Sequence, residues 1–357
     1  LFEFQDSRSI GTDPGEFEST AQTNKHAIQQ LFGSATFRNV FGTGLRTDVH
    51  VGRLNLNFGR RRLVARNLFR NTTNAFDGVH WNLGRDYQWR VRAFIVRPVE
   101  RTFEGLDRTD DDELFWGTYY ETRQIPWLST NLYYYGLNDR KPDIQDQRQY
   151  STLGFRLYAL PKVAWFDYEA QTAWQVGTKA GNDHFAYFLH GQVGYTFDAA
   201  WLPRLLFQYD YASGTRSPTG SQSGTFDTLF GARRWEYTPT GIFGPFFRSN
   251  ISSPGVRLSV TPVPRTRLSL KVRAWWLAQS RDEWVGSGLQ DPTGRSGNVL
   301  GQDLELRATW KPMSFVIFDT GYDHFFKGSY IESLARVPGN PPATDSDYFY
   351  IQTEIRF

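Results

Sequence analysis

Residues 348–357 read Y-F-Y-I-Q-T-E-I-R-F, so Phe349, Ile351, Thr353, Ile355 and Phe357 share one face and Tyr350, Gln352, Glu354 and Arg356 the other. Alternation with period two is the signature of a β-strand with one apolar and one polar wall. The same pattern recurs along the chain. Leu268, Leu270, Val272 and Ala274 oppose Arg267, Ser269, Lys271 and Arg273. Leu304, Leu306, Ala308 and Trp310 oppose Asp303, Glu305, Arg307 and Thr309. Phe166, Tyr168, Ala170, Thr172 and Trp174 oppose Asp167, Glu169 and Gln171. The alternation predicts about 16 strands, over 1–6, 27–40, 46–60, 76–83, 86–97, 112–122, 127–136, 149–160, 163–177, 183–197, 203–212, 251–262, 265–278, 302–311, 314–326 and 345–357.

The segments between these strands alternate in length. Short ones fall at 83–86, 123–126, 161–162, 198–202, 262–265 and 311–313, and long ones at 98–111, 136–149, 212–250, 279–301 and 327–345. The segment 179–182 is a short exception on the long side. Short turns on one rim and long loops on the other are expected of an up-and-down transmembrane β-barrel, with the short turns periplasmic. Trp81, Trp89, Trp127, Trp165, Trp201 and Trp310 lie within a few residues of short turns, as in an interfacial aromatic girdle. No repeat of fixed period points to a propeller or solenoid. The expectation is one all-β antiparallel barrel over 1–357. Strand-like alternation begins at Leu1, so the mature N-terminus is expected upstream, and one more hairpin there would bring the count to about 18.

Composition narrows this little. Mean hydropathy is −0.52, yet barrel strands average to polar because each shows lipid to one side only. No run of about 18 apolar residues offers a membrane helix. The chain has no Cys, which excludes disulfides and thiolate chemistry. Net charge is +3, too small to argue for nucleic acid. Enzyme signatures such as G-x-S-x-G, H-E-x-x-H and a phosphate loop are missing, and the six His are dispersed. No cofactor is expected.

The candidate chemistry lies on the inner wall. A charged inner face requires water in the lumen, and about 16 strands give a lumen wide enough for an aqueous channel. The expected inward bases include Arg53, Arg90, Arg92, Arg156, Arg273, Arg307 and Arg356, nearly balanced by acids such as Glu121, Asp167, Glu169, Asp210 and Asp319. Cross-strand pairing accounts for these as well as an anion path does. The unbalanced element is a loop carrying Arg60, Arg61, Arg62, Arg66 and Arg70, with no acid before Asp77. Its Leu63, Val64, Leu68 and Phe69 suggest that it folds inward over the pore. A basic constriction draws in polyanions, and the planar Arg fork suits carboxylates. Binding of acidic lipopolysaccharide at the rim is the alternative for this loop. Tyr119, Tyr133 and Tyr135 are expected to face inward, as a sugar platform or as packing beneath a loop. Asp107, Asp110, Asp111, Asp112 and Glu113 lack calcium-loop spacing and read as a solvated loop.

Four stretches together resemble the alginate export family of bacterial outer-membrane barrels: F-E-F-Q-D-S-R at 2–8, V-G-R-L-N-L-N-F-G-R-R-R-L at 51–63, N-A-F-D-G-V-H-W at 74–81 and Y-D-Y-A-S-G at 209–214. The resemblance implies an 18-stranded barrel in the outer membrane, an Arg-lined constriction, outward passage of a linear polyuronate, and closure by inward-folded loops. It favours Arg53 and Arg60–Arg62 as part of the basic path. The expected activity is a passive conduit, acting as a monomer among outer-membrane lipids and lipopolysaccharide. A general porin, or a scaffold for a periplasmic partner, is the alternative.

Overall fold

Each strand of this protein shows apolar side chains to one side and polar ones to the other, and the computed structural model curves them around an interior. It describes residues 1–11, 19–67, 69–85, 88–233, 236–239, 244–337, 339–340 and 342–356. The expectations for Leu68, Asp86 and Phe357 lie outside the described residues. Eighteen strands make up one sheet. They are β1 (Phe2–Ser7), β2 (Asn24–Val40), β3 (Leu45–Leu54), β4 (Phe76–Arg85), β5 (Trp89–Glu100), β6 (Arg108–Thr109), β7 (Glu113–Ile125), β8 (Leu128–Asp139) and β9 (Arg148–Tyr158). The chain continues with β10 (Trp165–Lys179), β11 (Asn182–Thr196), β12 (Arg204–Ala212), β13 (Gln222–Ser223), β14 (Ile251–Val260), β15 (Thr266–Trp276), β16 (Val299–Met313), β17 (Val316–Lys327) and β18 (Ser346–Ile355). Two of these, β6 and β13, are two-residue pieces within loops. The other sixteen match the expected strands one for one. Within the described residues the count of eighteen includes these two loop strands.

Antiparallel ladders join the long strands in chain order from β1–β2 through to β17–β18. Lipid supplies no hydrogen bonds, so these ladders must satisfy the backbone. The outward face is an apolar belt in which Val51, Ile95, Leu132, Leu153, Val176, Phe185, Phe207, Leu306 and Ile351 are exposed. At the rim of short turns Trp127, Trp165, Trp201 and Trp310 are exposed as a girdle, while Trp81 is half-buried and donates Nε1–H to Thr47 Oγ1 at 2.7 Å. No helix among the described residues is long and apolar enough to cross a membrane.

One strand ends earlier than its alternation implies. β3 stops at Leu54, and residues 55–60 leave the wall. Leu54, Leu56 and Phe58 keep the period-two rhythm but are buried inside the barrel. Burying such side chains fully is worth about 1.5–3 kcal/mol each. The loop 55–75 therefore folds inward, where it meets the loop 213–250. The Phe230 N–H donates to Leu63 O at 3.0 Å, the Ala65 N–H to Phe230 O at 3.0 Å, and the Ala232 N–H to Arg61 O at 2.8 Å. A Cβ on Gly231 would lie 1.8 Å from Arg62 O, so this approach requires glycine. Inward Phe94, Phe115, Phe188 and Trp275 join Phe58, Val64, Phe226 and Phe246 of the loops in one core within the barrel. The loop 55–75 also spans the flank between β1 and β18. Arg66 pairs with Glu3, Asn71 O accepts from Gln5 Nε2 at 2.6 Å, and Phe69 meets Tyr350 edge-on at 4.8 Å.

Candidate pore constriction

Wall residues of β9, β10, β11, β12 and β15 meet two loops at the centre of the barrel. Arg62, at the tip of the loop 55–75, is fully buried. Its Nε and Nη2 donate to the two Glu236 oxygens at 2.8 and 2.6 Å, and its Nη1 donates to Glu169 and Gln171. Arg156 grips the same Glu169 with Nε and Nη2 at 2.8 and 2.9 Å. Arg248, from the loop 213–250, donates to Glu236 at 2.6 Å. Arg273 donates to Asp210 at 2.7 Å and to Glu236 O at 2.8 Å, while His190 Nδ1 lies 2.8 Å from Asp210 Oδ1. Each carboxylate contacts at least one guanidinium. Buried ions persist only with such pairing. Burial alone would raise the Glu236 carboxyl, but Arg62 and Arg248 overcome it and hold Glu236 well below the usual carboxylate range. Asp227, on the same loop, is likewise raised by burial but lowered more by Arg148, which it meets at 3.1 Å, acting together with Lys179 and the hydrogen bonds from Tyr150 and the Leu229 N–H. The two loops are therefore fastened to the wall and to each other by charge-assisted bonds.

Between this network and the rim of short turns, the wall carries cross-strand pairs: Arg92 with Glu121 at 2.7 Å, and Arg204 with Asp167, Lys271 with Glu305 and Arg307 with Asp319. Three further cations are held less tightly. Arg60 is about half exposed and 3.8 Å from Glu169. Arg90 is about half exposed and 3.8 Å from Glu121. Arg267 donates to Ser259 Oγ at 3.1 Å, with no carboxylate partner among the described residues. Arg90, Arg204 and Arg267 each lie within two residues of a strand start that follows a short turn, so they mark one mouth of the barrel.

The candidate residues thus separate. Arg60, Arg62, Arg90, Arg92, Arg156, Arg273 and Arg307 converge on the interior. Arg61 lies beside them at the loop tip with φ +64° and accepts the Ala232 N–H through its carbonyl. Arg66 holds the wall residue Glu3. Arg70 donates to Thr72 O at 3.0 Å, and burial together with Arg101 and Arg233 pulls it down to about 9. Arg356 is exposed at the end of the chain beside Glu354.

Arg53 departs from the expectation. It pairs with Asp77 across the ladder and shares a face with the lipid-facing Val51 and Val79, while its neighbour Leu54 and partner Phe76 point inward. Its Nη1 reaches Asp107 O at 3.4 Å in the loop 101–112. Arg53 is therefore on the outer surface near the long-loop rim. Glu236 and Arg248 went unnoticed in the sequence because a long loop has no periodicity to give its side chains a direction. Of the acidic stretch, Asp107 accepts from Asn24 at 2.8 Å and Asp110 from the Asp112 N–H at 3.0 Å, while Asp111 stays exposed. No group of three metal-binding side chains occurs among the described residues.

A sheet with lipid outside, charge inside and loops folded into its centre defines a pore of the bacterial outer membrane. Solved structures of Pseudomonas aeruginosa agree on the fold. OccK8 (OprE) is similar with a TM-score of 0.56 at 12% identity, over 78% of this chain and 73% of that one. OccD3 (OpdP) is similar with a TM-score of 0.55 at 12% identity, over 86% and 74%. The outer membrane protein OprD is similar with a TM-score of 0.54 at 14% identity, over 87% and 74%. No curated protein sequence matches. The alginate export family matches residues 1–337, and the chain belongs to that family.

Proposed function

We propose that the protein is a passive conduit for an acidic saccharide and that it works as a monomer, with transport from the short-turn side outward. The observation that carries this reading is the set of loosely held guanidiniums, Arg60, Arg90 and Arg267, at the mouth leading to the Arg62 network. A cationic vestibule with low-dielectric walls concentrates polyanions. Its planar forks bind successive carboxylates without trapping them, because each is already shared with Glu121, Glu169 or Ser259. The chemistry is diffusion alone, with no covalent step. The loops 55–75 and 213–250 act as the gate, and withdrawing them exposes the wall pairs to solvent.

Recording current across a planar bilayer during titration with alginate oligomers tests this. The expected result is anion-selective conductance with block that rises with oligomer concentration and weakens in Arg90→Ala/Arg92→Ala. Free conductance that ignores the oligomer would favour a small-solute porin. The opposed pairs Arg92–Glu121, Arg204–Asp167 and Arg307–Asp319, which set a transverse field, fit that second reading.

A further inference from the structure

Beside the ionic network lies an aromatic wall. Tyr119 of β7 stacks on Tyr133 of β8 with centroids 5.9 Å apart and planes within 8°, and Tyr133 stacks on Tyr135 at 5.3 Å and 20°. All three are nearly fully buried. The inner loop covers them with Phe58, Gly59, Arg62, Leu63 and Val64, and the ring that lies on the ladder is Phe58, 5.3 Å and 21° from Tyr119 and 6.2 Å from Tyr135. Cations flank this ladder. The Arg92 guanidinium is 5.3 Å from the Phe58 ring and 5.8 Å from the Tyr119 ring. Arg156 donates to Asn131, the inward residue next to Tyr133 on β8, at 3.1 Å. The Tyr133 hydroxyl is committed, donating to Thr172 O and accepting from Gln171, both at 2.9 Å.

A flat hydrophobic ring seated on parallel tyrosines beside a guanidinium has the outline of an acidic sugar. A pyranose presents a face of C–H bonds to an aromatic π-surface, its hydroxyls find tyrosine hydroxyls at the ladder's edge, and its carboxylate suits an Arg fork. A phenyl ring is of similar width. We propose that the Tyr119–Tyr133–Tyr135 ladder, flanked by Arg92 and Arg156, is a subsite for one uronate-type ring, and that Phe58 occupies the ring's place until the ring displaces it. This rests on the reading of the pore as a saccharide conduit and adds the subsite and its coupling to the gate. Arg62 is four residues from Phe58 and bonds Gln171, which bonds Tyr133. Lifting Phe58 therefore also disturbs the loop tip that closes the lumen. The substrate then acts as its own gate-opener, because it binds only the withdrawn conformation.

The test is binding of an alginate-type hexauronate to the purified full-length barrel by titration calorimetry, with bilayer block measured alongside. Vacating the place should help: Phe58→Ala should tighten binding about tenfold, since the closed loop no longer competes for the subsite. Adding Tyr119→Leu in that background should remove most of the gain. The chain has no Cys, so Val64→Cys with Phe230→Cys, at the backbone bridge between the two loops, gives a clean lock. The oxidised lock should abolish binding and reduction should restore it, which keeps the proposal falsifiable if the tyrosine variant fails to fold. Equal affinity in Phe58→Ala and wild type, or full binding by the oxidised lock, overturns the subsite. If oligomers still block the pore but the block ignores Phe58 and Tyr119, the conduit survives and the subsite falls. If no variant binds or is blocked, both fall.

Discussion

Glu236 decides whether the two inner loops stay together. It receives two bonds from Arg62 and one from Arg248 in a fully buried setting. Glu236→Gln keeps the shape but leaves two guanidiniums facing a neutral group. Breaking a buried pair from one side costs about 3–5 kcal/mol, and that loss falls on the closed state. The expected outcome is a higher open-channel current than wild type at equal protein, read in single-channel recordings. Acid should do the same by a different route. Glu236 and Asp227 have folded values depressed by Arg62, Arg248 and Arg148, so their contribution is present above the unfolded carboxylate range and is lost as pH falls through the depressed folded values. Closed-state current should therefore stay flat from neutral pH down to the ordinary carboxylate range and rise only below it. A rise centred near neutrality would assign gating to another group. At this scale the sequence was only half legible. It pointed to Arg62 through a run of bases lacking acids, but not to Glu236, whose partner lies 174 residues away. It placed Arg53 on the wrong face, since alternation states that two faces exist and not which is inward where a strand leaves the membrane.

The elements were far more legible, because the membrane imposes one rule on every strand. Sixteen expected strands were found with ends shifted by a few residues, and the exception is informative. The segment 55–60 alternates as well as any strand, yet it lies inside the barrel, where Phe58 stacks on Phe94 and Tyr119 and Leu56 is buried in the same core. Period two is a statement about faces, and an inner loop can satisfy it too. Glycine placement carries the information that periodicity lacks. Gly231→Ala would drive a methyl into Arg62 O and force the loops 55–75 and 213–250 apart. Gly59, with φ +53°, meets Tyr119 Oη at 2.3 Å from an added Cβ, so Gly59→Ala should lift the loop from the wall. Both variants should fold as barrels, because no ladder between long strands changes, and both should expose the loops to protease in detergent within times at which wild type is intact. Protease resistance equal to wild type in both would show that the inner loops are held by other contacts.

For the whole molecule the distribution of charge matters more than its sum. A net +3 over 357 residues says little. The loosely held bases, however, gather at the short-turn mouth, where Arg90 and Arg267 begin their strands and Arg60 hangs from above. Such a field is asymmetric along the pore axis, and its reach is a Debye length, about 10 Å at 0.1 M salt and about 3 Å at 1 M. A polyanion arriving from the short-turn side meets the surplus before the gate; one arriving from the long-loop side meets the gate first. In an oriented bilayer, a uronate oligomer should therefore block at a lower concentration when added on the short-turn side. The difference should shrink as salt rises from 0.1 to 1 M and should be reduced in Arg90→Gln/Arg267→Gln, whose side chains are away from the Glu236 network that holds the gate. Equal block from both sides at low salt would remove the vestibule from the capture step and leave the central network as the point of selection. Sidedness that persists unchanged at 1 M salt would instead assign it to the shape of the gate, which screening does not touch.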